Sequence, residues 1–191
     1  YLTYQYVPTP RTIWRGAKKL PPGHVLLWEQ GTVRTERYWD LHYVPKLRLG
    51  SLAAYRERFL EIFRESVRLR LVSDVPLGAF LSGGVDSSAV VAMMSLEGAA
   101  PVRTFSIGFP EGDYDELRYA RQVAERYGTE HQELVVQPRA LDVLPRLVRH
   151  YGEPFGDSSA VPTWYVSQLT RRSVTVALSG DGGDEAFGGY Q

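Results

Sequence analysis

One stretch of this 191-residue chain holds residue types suited to gripping phosphate: Ser82-Gly83-Gly84-Val85-Asp86-Ser87-Ser88. Two adjacent glycines permit positive φ and remove side chains, so the backbone can come close to a ligand. The apolar run 77–81 before them reads as a strand. Asp86 or Ser87 then opens a helix carrying Val90, Val91, Met93 and Met94. A helix that begins at such a loop points free N–H groups and the positive end of its dipole at an anion. Ser82, Ser87 and Ser88 add hydroxyl donors. Asp86 repels bare phosphate, but it suits the site if it holds Mg²⁺, an oxygen-seeking ion that bridges phosphates. A Walker loop carries a lysine just before its Ser/Thr. Here the last lysine is Lys46, so backbone, hydroxyls and metal must do that work. An ordinary Gly-Gly turn with Asp86 as a helix cap explains the glycines and the aspartate taken singly. It does not explain the whole string placed after an apolar strand.

A second loop has the same character. The apolar run 174–178 leads into Ser179-Gly180-Asp181-Gly182-Gly183-Asp184-Glu185-Ala186-Phe187-Gly188-Gly189-Tyr190. Gly180, Gly182 and Gly183 permit a tight path against a ligand, and Asp184 is a candidate second carboxylate for the metal that Asp86 would bind. An exposed acidic turn with a cap at Asp184 accounts for the aspartates but not for glycine on both sides of them.

Both loops need a frame. From about residue 50 the pattern alternates helix and strand. Ser51 caps a helix with Leu52, Tyr55, Phe59, Leu60, Phe63 and Val67 on one face, closed by Pro76. Strands are expected at 77–81, 102–109, 133–136 and 174–178. Further helices are expected from Asp113, with Glu116 completing a capping box, to a stop at Gly128, and over 141–151 and 161–172. This alternation predicts an α/β fold, a parallel sheet with helices on both faces, in which ligands bind beyond the carboxyl ends of the strands. Residues 1–48 differ: they show no helical period, hold Pro8, Pro10, Pro21 and Pro22, and suggest a hairpin turning at Gln30-Gly31.

Composition excludes several classes. Net charge is zero, so no overall field draws nucleic acid or an anionic membrane. There is no cysteine, hence no disulfide, thiolate metal site or thiol nucleophile. No apolar run reaches membrane-spanning length, and the N-terminus lacks the features of a signal peptide, which together give an expectation of a cytoplasmic protein. His24, His42, His131 and His150 have no ligand spacing for zinc. Glu153, Asp157, Ser158 and Ser159 suit loop capping as well as a substrate role. Arg118, Arg121, Arg139, Arg146, Arg149, Arg171 and Arg172 read as solvated helix faces, and Trp14, Trp28, Trp39 and Trp164 as packing residues. The absence of an initiator methionine, and an end that falls inside the second glycine-rich string, lead us to expect a piece of a longer protein.

The first loop resembles the pyrophosphate loop of the ATP pyrophosphatases, whose sheet is of the adenine nucleotide α-hydrolase type. The string 179–190 closely resembles the second motif of the glutamine-hydrolysing asparagine synthetases and their β-lactam synthetase relatives. Pro8 through Pro22-Gly23-His24 to Tyr38-Trp39-Asp40 is similar to the stretch joining their glutaminase and synthetase domains. Thr104-Phe105-Ser106-Ile107-Gly108-Phe109 and Gly128-Thr129-Glu130-His131 also fit. The resemblance implies that 1–48 is a glutaminase-domain tail and linker and 49–191 a synthetase domain cut short at its C-terminus. It implies that Leu81, Ile107, Ser179 and Gly180 contact the adenosine of ATP. It places phosphate and Mg²⁺ on Ser82, Gly83, Gly84, Asp86, Ser87 and Ser88, with Asp184 sharing the metal or pyrophosphate site. Asp181 stands next to the reacting acyl group, where many of these enzymes have glutamate.

The chemistry so implied is adenylation of the aspartate β-carboxylate with release of pyrophosphate, followed by attack of ammonia to give asparagine and AMP. Ammonia would come from glutamine through an N-terminal cysteine that this chain lacks, and the family's later catalytic lysine would lie past Gln191. The fragment alone is therefore expected to leave glutamine untouched and synthesis incomplete. The family further implies a homodimer for the longer protein and no nucleic-acid or membrane partner. A β-lactam synthetase-like enzyme or a glycan or peptide amidotransferase is the alternative within enzymes. A nucleotide-binding module without catalysis, or a purely structural fragment, are the alternatives of other classes.

Overall fold

The computed structural model describes residues 1–98, 100–110, 116–137 and 139–189. It has two compact units, one formed by 1–50 with 141–158 and the other by 51–140 with 159–191.

In the first unit, β1 (His24–Glu29) and β2 (Thr32–Arg37) form an antiparallel hairpin. Its turn residues, Gln30 at φ 48° and Gly31 at φ 81°, take the left-handed values a two-residue hairpin turn demands. Residues 141–158, which include most of α4 (Ala140–Tyr151), are tied to the opening segment by an ion pair of Lys19 with Glu153 and by Gly156 N–H donating to Gln5 O at 2.8 Å. Helical periodicity gives no sign of that association.

The second unit is the α/β frame. Helix α1 (Leu52–Arg70) starts where expected: Ser51 Oγ accepts from Ala54 N–H at 3.2 Å. It ends at Leu71, whose N–H bonds Val67 O and Arg68 O, several residues before Pro76. The loop Ser73-Asp74-Val75 intervenes, with Ser73 Oγ bonded to Val75 O at 2.9 Å. The helix stops at Leu71, and Pro76 merely precedes the next strand. Strands β3 (Leu77–Phe80), β4 (Arg103–Gly108), β5 (Glu130–Val135) and β6 (Val176–Leu178) are all parallel, in the order β5-β4-β3-β6. Between them lie α2 (Val85–Glu97), α3 (Leu117–Tyr127) and α5 (Ala160–Thr170); α6 (Gly183–Phe187) follows β6. Strand β5 begins earlier than the apolar pattern indicated because Glu130 and His131 pair with Arg103 and Thr104. The last strand is shorter than expected; among the described strands it lies at the end of the order, with Val176 exposed.

Helices cover both faces. Ala79 and Leu81 pack with Val67 of α1, Val91 and Met94 of α2 and Ala120 and Ala124 of α3. On the other face Phe80, Phe105 and Leu134 pack with Val166 and Leu169 of α5. Strand alternation thus splits adjacent residues between two cores. Helix α3 stops at Gly128, φ 60°, as a left-handed C-terminal residue does. The proposed cap at Asp113 lies outside the described residues; the helix as described begins at Leu117, after Glu116. Among the described residues no helix is long and apolar enough to cross a membrane.

Candidate functional site

Adjacent parallel strands β3 and β6 each run into one of the two glycine-rich loops at their carboxyl ends. After β3 the chain turns through Gly83 at φ 85° and enters α2 with Gly84 as N-cap. Asp86 is not the cap: it sits in the first turn of α2, and no side chain caps that helix. The loop is braced from inside. Ser87 is buried; its Oγ lies 2.9 Å from Ser82 Oγ, accepts from Ser82 N–H at 3.2 Å and donates to Gly84 O at 3.3 Å. Ser82 Oγ also accepts from Gly84 N–H at 3.2 Å. Ser106 of β4 donates to Leu81 O, fixing the loop's base. Among the described residues, the N–H groups of Gly83, Val85 and Asp86 have no acceptor, as the first turn of a helix leaves them. Ser88 Oγ is buried and has no partner among the described residues. A buried hydroxyl without a bond is costly, so this one is suited to a ligand atom.

The second loop closes on the first. A Cβ on Gly180 would lie 2.8 Å from Ser87 N and 3.1 Å from Asp86 Cβ, and one on Gly183 would fall on the Asp86 carboxylate. Glycine at these two positions is therefore what lets β6's loop reach α2. Gly182, at φ 96°, is the N-cap of α6. Ser179 Oγ donates to Asp181 Oδ2 at 2.8 Å, which folds the Asp181 carboxylate back over the start of its own loop. A Cβ on Gly189 would meet the Asp184 carboxylate, so the two carboxylates each lie against a glycine of the second loop, Asp86 against Gly183 and Asp184 against Gly189.

Two cavities flank this junction. One, about 730 Å³, is lined by Phe80, Leu81, Ser82, residues 105–107, Phe109, the α3 turn of Glu116, Arg118 and Tyr119, and by α5 at Pro162, Thr163 and Val166. The other, about 870 Å³, has walls from α1 (Phe59, Phe63, Val67, Arg70), α2 (Val85, Asp86, Val90), residues 177–183 and Phe187. Leu81, Ser82 and Ile107 open on the first; Asp86, Ser179, Gly180 and Asp181 open on the second. Gly83, Gly84, Ser87, Ser88 and Asp184 line neither. The expected adenosine contacts are thus divided, two on each side of the loop.

Sequence reasoning missed the wall residues Glu116, Tyr119 and Thr163, and it read Arg118 as a solvated helix face. Arg118 is exposed but also forms part of the first cavity's wall. Its position one residue into α3, just after a strand's carboxyl end, was the available signal.

A polar chain runs from Thr129 through Thr104 of β4 and His131 and Glu133 of β5 to Arg121 of α3. Thr129 Oγ1 and Thr104 Oγ1 are 2.8 Å apart, Thr104 Oγ1 is 2.8 Å from His131 Nδ1, and His131 Nε2 is 3.1 Å from Glu133 Oε1. Arg121 closes it with two nitrogens on Glu133, the shorter at 2.7 Å. Burial pushes the His131 imidazole below its ordinary pKa, against the pull of the Glu133 charge. The Arg121 bonds hold the Glu133 carboxyl below its ordinary range, against a smaller effect of burial.

Residues 58–191 match the asparagine synthase family. A putative glutamine-hydrolysing asparagine synthetase of Methanocaldococcus jannaschii is 40% identical over all of this chain and 37% of its own length. A glutamine-hydrolysing asparagine synthetase of Bacillus subtilis is 34% identical over all of this chain and 30% of its own. The chain therefore spans about a third of the length of these relatives. Among solved structures, an NH3-dependent NAD synthetase from Campylobacter jejuni aligns over 71% of this chain and 60% of that one, with TM-score 0.49 and 12% identity. The fold stands on the sheet order and register given above.

Proposed function

Because the chain belongs to the asparagine synthase family, we propose that it is the ATP-cleaving part of an enzyme that makes an amide by activating a carboxylate as its adenylate. The observation that carries this reading is the loop pair itself: a lysine-free Gly-Gly turn with open N–H groups, against which a second glycine loop closes at Asp86.

In this reading the N–H groups of Gly83, Val85 and Asp86 and the hydroxyls of Ser82 and Ser88 bind the phosphates, and Ser87 braces the loop. Leu81 and Ile107 hold the adenosine from one side, and Ser179 and Gly180 approach it from the other. A carboxylate oxygen of the substrate attacks the α-phosphorus, the bond from that phosphorus to the bridging oxygen breaks, and pyrophosphate leaves. Ammonia then attacks the acyl carbon, loses a proton, and AMP departs. The donors of α2's first turn meet the negative charge that grows on the leaving pyrophosphate. Asp86 offers a carboxylate with no cation partner among the described residues, a donor of the oxygen type that Mg²⁺ takes together with phosphates. Asp86 and Asp184 would hold that ion, which would neutralise charge on the pyrophosphate.

The finer proposal is that the carboxylate is the β-carboxylate of aspartate, that the ammonia derives from glutamine, and that 1–48 belong to a glutaminase-domain tail and linker, with 49–191 the synthetase part. Asp181 stands beside the acyl group. Because it is shorter than glutamate and tied to Ser179, a lactam-forming or glycan- or peptide-amidating reaction is the second reading. The test supplies the full-length protein, of which this chain is about a third, with ATP, Mg²⁺, ammonium and aspartate. AMP, pyrophosphate and asparagine should form in equal amounts, and Asp86→Ala should abolish all three. ADP and phosphate as products would sink the adenylation reading. Adenylation supported by another carboxylate but not by aspartate would move the assignment to the second reading.

A further inference from the structure

The phosphate chain of ATP carries several negative charges, and the loop proposed to hold it contains no lysine or arginine. Yet the cavity beside that loop does contain a cation. Arg118 shares its wall with Ser82 and Ile107, and no other described lining residue is cationic. The turn bearing Arg118 touches the loop. A Cβ on Gly83 would lie 2.6 Å from Ala120 N and 2.6 Å from Tyr119 Cβ, so the first turn of α3 is the surface on which Gly83 rests. The Arg118 guanidinium lies 5.9 Å from the Tyr119 ring centroid and faces no carboxylate among the described ion pairs. The other lining residues near it sort by chemistry: Phe80, Phe105, Phe109, Pro162 and Val166 are apolar and suit a base, while Glu116 is the single carboxylate.

We propose that Arg118 is a phosphate-binding residue of this site, taking the charge that a loop lysine takes elsewhere. The inference rests on the nucleotide reading above. Guanidinium forms paired N–H bonds to two phosphate oxygens, which lysine cannot do. In a cleft with apolar walls such a cation attracts an anion more strongly than it would in open solvent. Glu116, two positions before it, repels phosphate, so the phosphates are expected on the Arg118 and Ser82 side. Stacking on Tyr119 holds the guanidinium at the cavity mouth.

The experiment is a calorimetric titration of the full-length protein, as wild type, Arg118→Lys and Arg118→Ala, with ATP, AMP and adenosine, each at low and high salt. Arg118→Ala should weaken ATP by about tenfold to a hundredfold, the range for loss of a charge-assisted bond, and AMP by less. Adenosine should be unchanged, and lysine should recover part of the ATP loss. The difference between wild type and alanine should shrink as salt rises. Wild-type affinity for ATP in Arg118→Ala would overturn the assignment of Arg118 and leave the nucleotide reading standing. An equal loss for adenosine would also overturn it, since the residue would then shape the cavity rather than bind charge. Failure of wild type to bind ATP at all would remove the nucleotide reading, and this inference with it.

Discussion

Replacing Gly183 with alanine separates folding from metal-dependent binding: stability should hardly change while affinity for Mg-ATP falls. Gly183 is the first residue of α6. The nearest atoms to an added Cβ all belong to the Asp86 side chain, with Oδ1 at 2.9 Å, inside ordinary van der Waals contact. No backbone atom is as close, so the carboxylate moves and the chain does not. Moving one side chain off its rotamer costs about 0.5–1.5 kcal/mol, while alanine is favoured over glycine within a helix by up to about 1 kcal/mol. Stability should therefore stay within about 1 kcal/mol of wild type. Binding has no such offset, because the displaced group is the proposed magnesium ligand. Affinity for Mg-ATP should fall about tenfold to a hundredfold, as when a ligating group loses its support, while ATP without magnesium should be held as before. Urea unfolding midpoints and ATP titrations with and without Mg²⁺ read both quantities on one preparation. A stability loss above about 3 kcal/mol with unchanged Mg-ATP affinity would refute the reasoning, since the backbone would then have yielded in place of Asp86.

Ser88→Ala removes a buried hydroxyl that has no partner. An unmet buried donor costs about 1–3 kcal/mol, so thermal melting without ligand should show equal or higher stability. The stabilisation conferred by added ATP should fall, and a loss of unliganded stability would show that Ser88 has a bonding role in the loop. His131 gives a pH dependence. Burial holds its folded pKa below the ordinary 6.5, so as pH falls below 6.5 the unfolded chain takes up the proton first. The stability of the neutral ring is complete above 6.5 and is lost as pH drops toward the lowered folded value. Urea midpoints should decline from pH 6.5 to about 5, a range chosen to stay above Glu133, whose own contribution is lost only below the ordinary carboxyl range. His131→Asn should flatten that decline, and an unchanged slope would refute this role.

Local rules carried the sequence reading where one residue decides the outcome. Ser51 has a free acceptor oxygen at a helix start, Gly128 tolerates left-handed φ, and Gln30-Gly31 form the turn that two short strands need. The reading missed where the decisive contact is distant. Pro76 seemed to end α1 because proline ends helices, but Leu71 ended it first. The second helix seemed to open at Asp86 or Ser87, yet it begins at Val85 with Gly84 as N-cap, and Asp86 faces a glycine nearly a hundred residues on. Within the candidate site, the glycine-rich strings were legible because close backbone approach leaves a compositional mark. Arg118 left none, since an arginine on an exposed helix turn is spelled the same way whether it faces water or a cavity. The division of the proposed adenosine contacts between two cavities was equally hidden, because it follows from strand order, and strand order is set by packing between residues far apart in the chain.

That order has a consequence for how the binding site comes into being. Strands β3 and β4 and helices α2 and α3 follow one another closely and can associate soon after synthesis. The pairing of Leu77 with Val176 must instead close a loop containing everything between them, at an entropic cost that grows with its length. Residues 179–184 reach Asp86 only once that loop is shut. A ligand bridging both glycine loops would act as a reversible clasp on this long-range closure, so bound nucleotide should slow the opening of β6 more than that of the β4–β5 pair, a difference that backbone amide exchange resolves strand by strand.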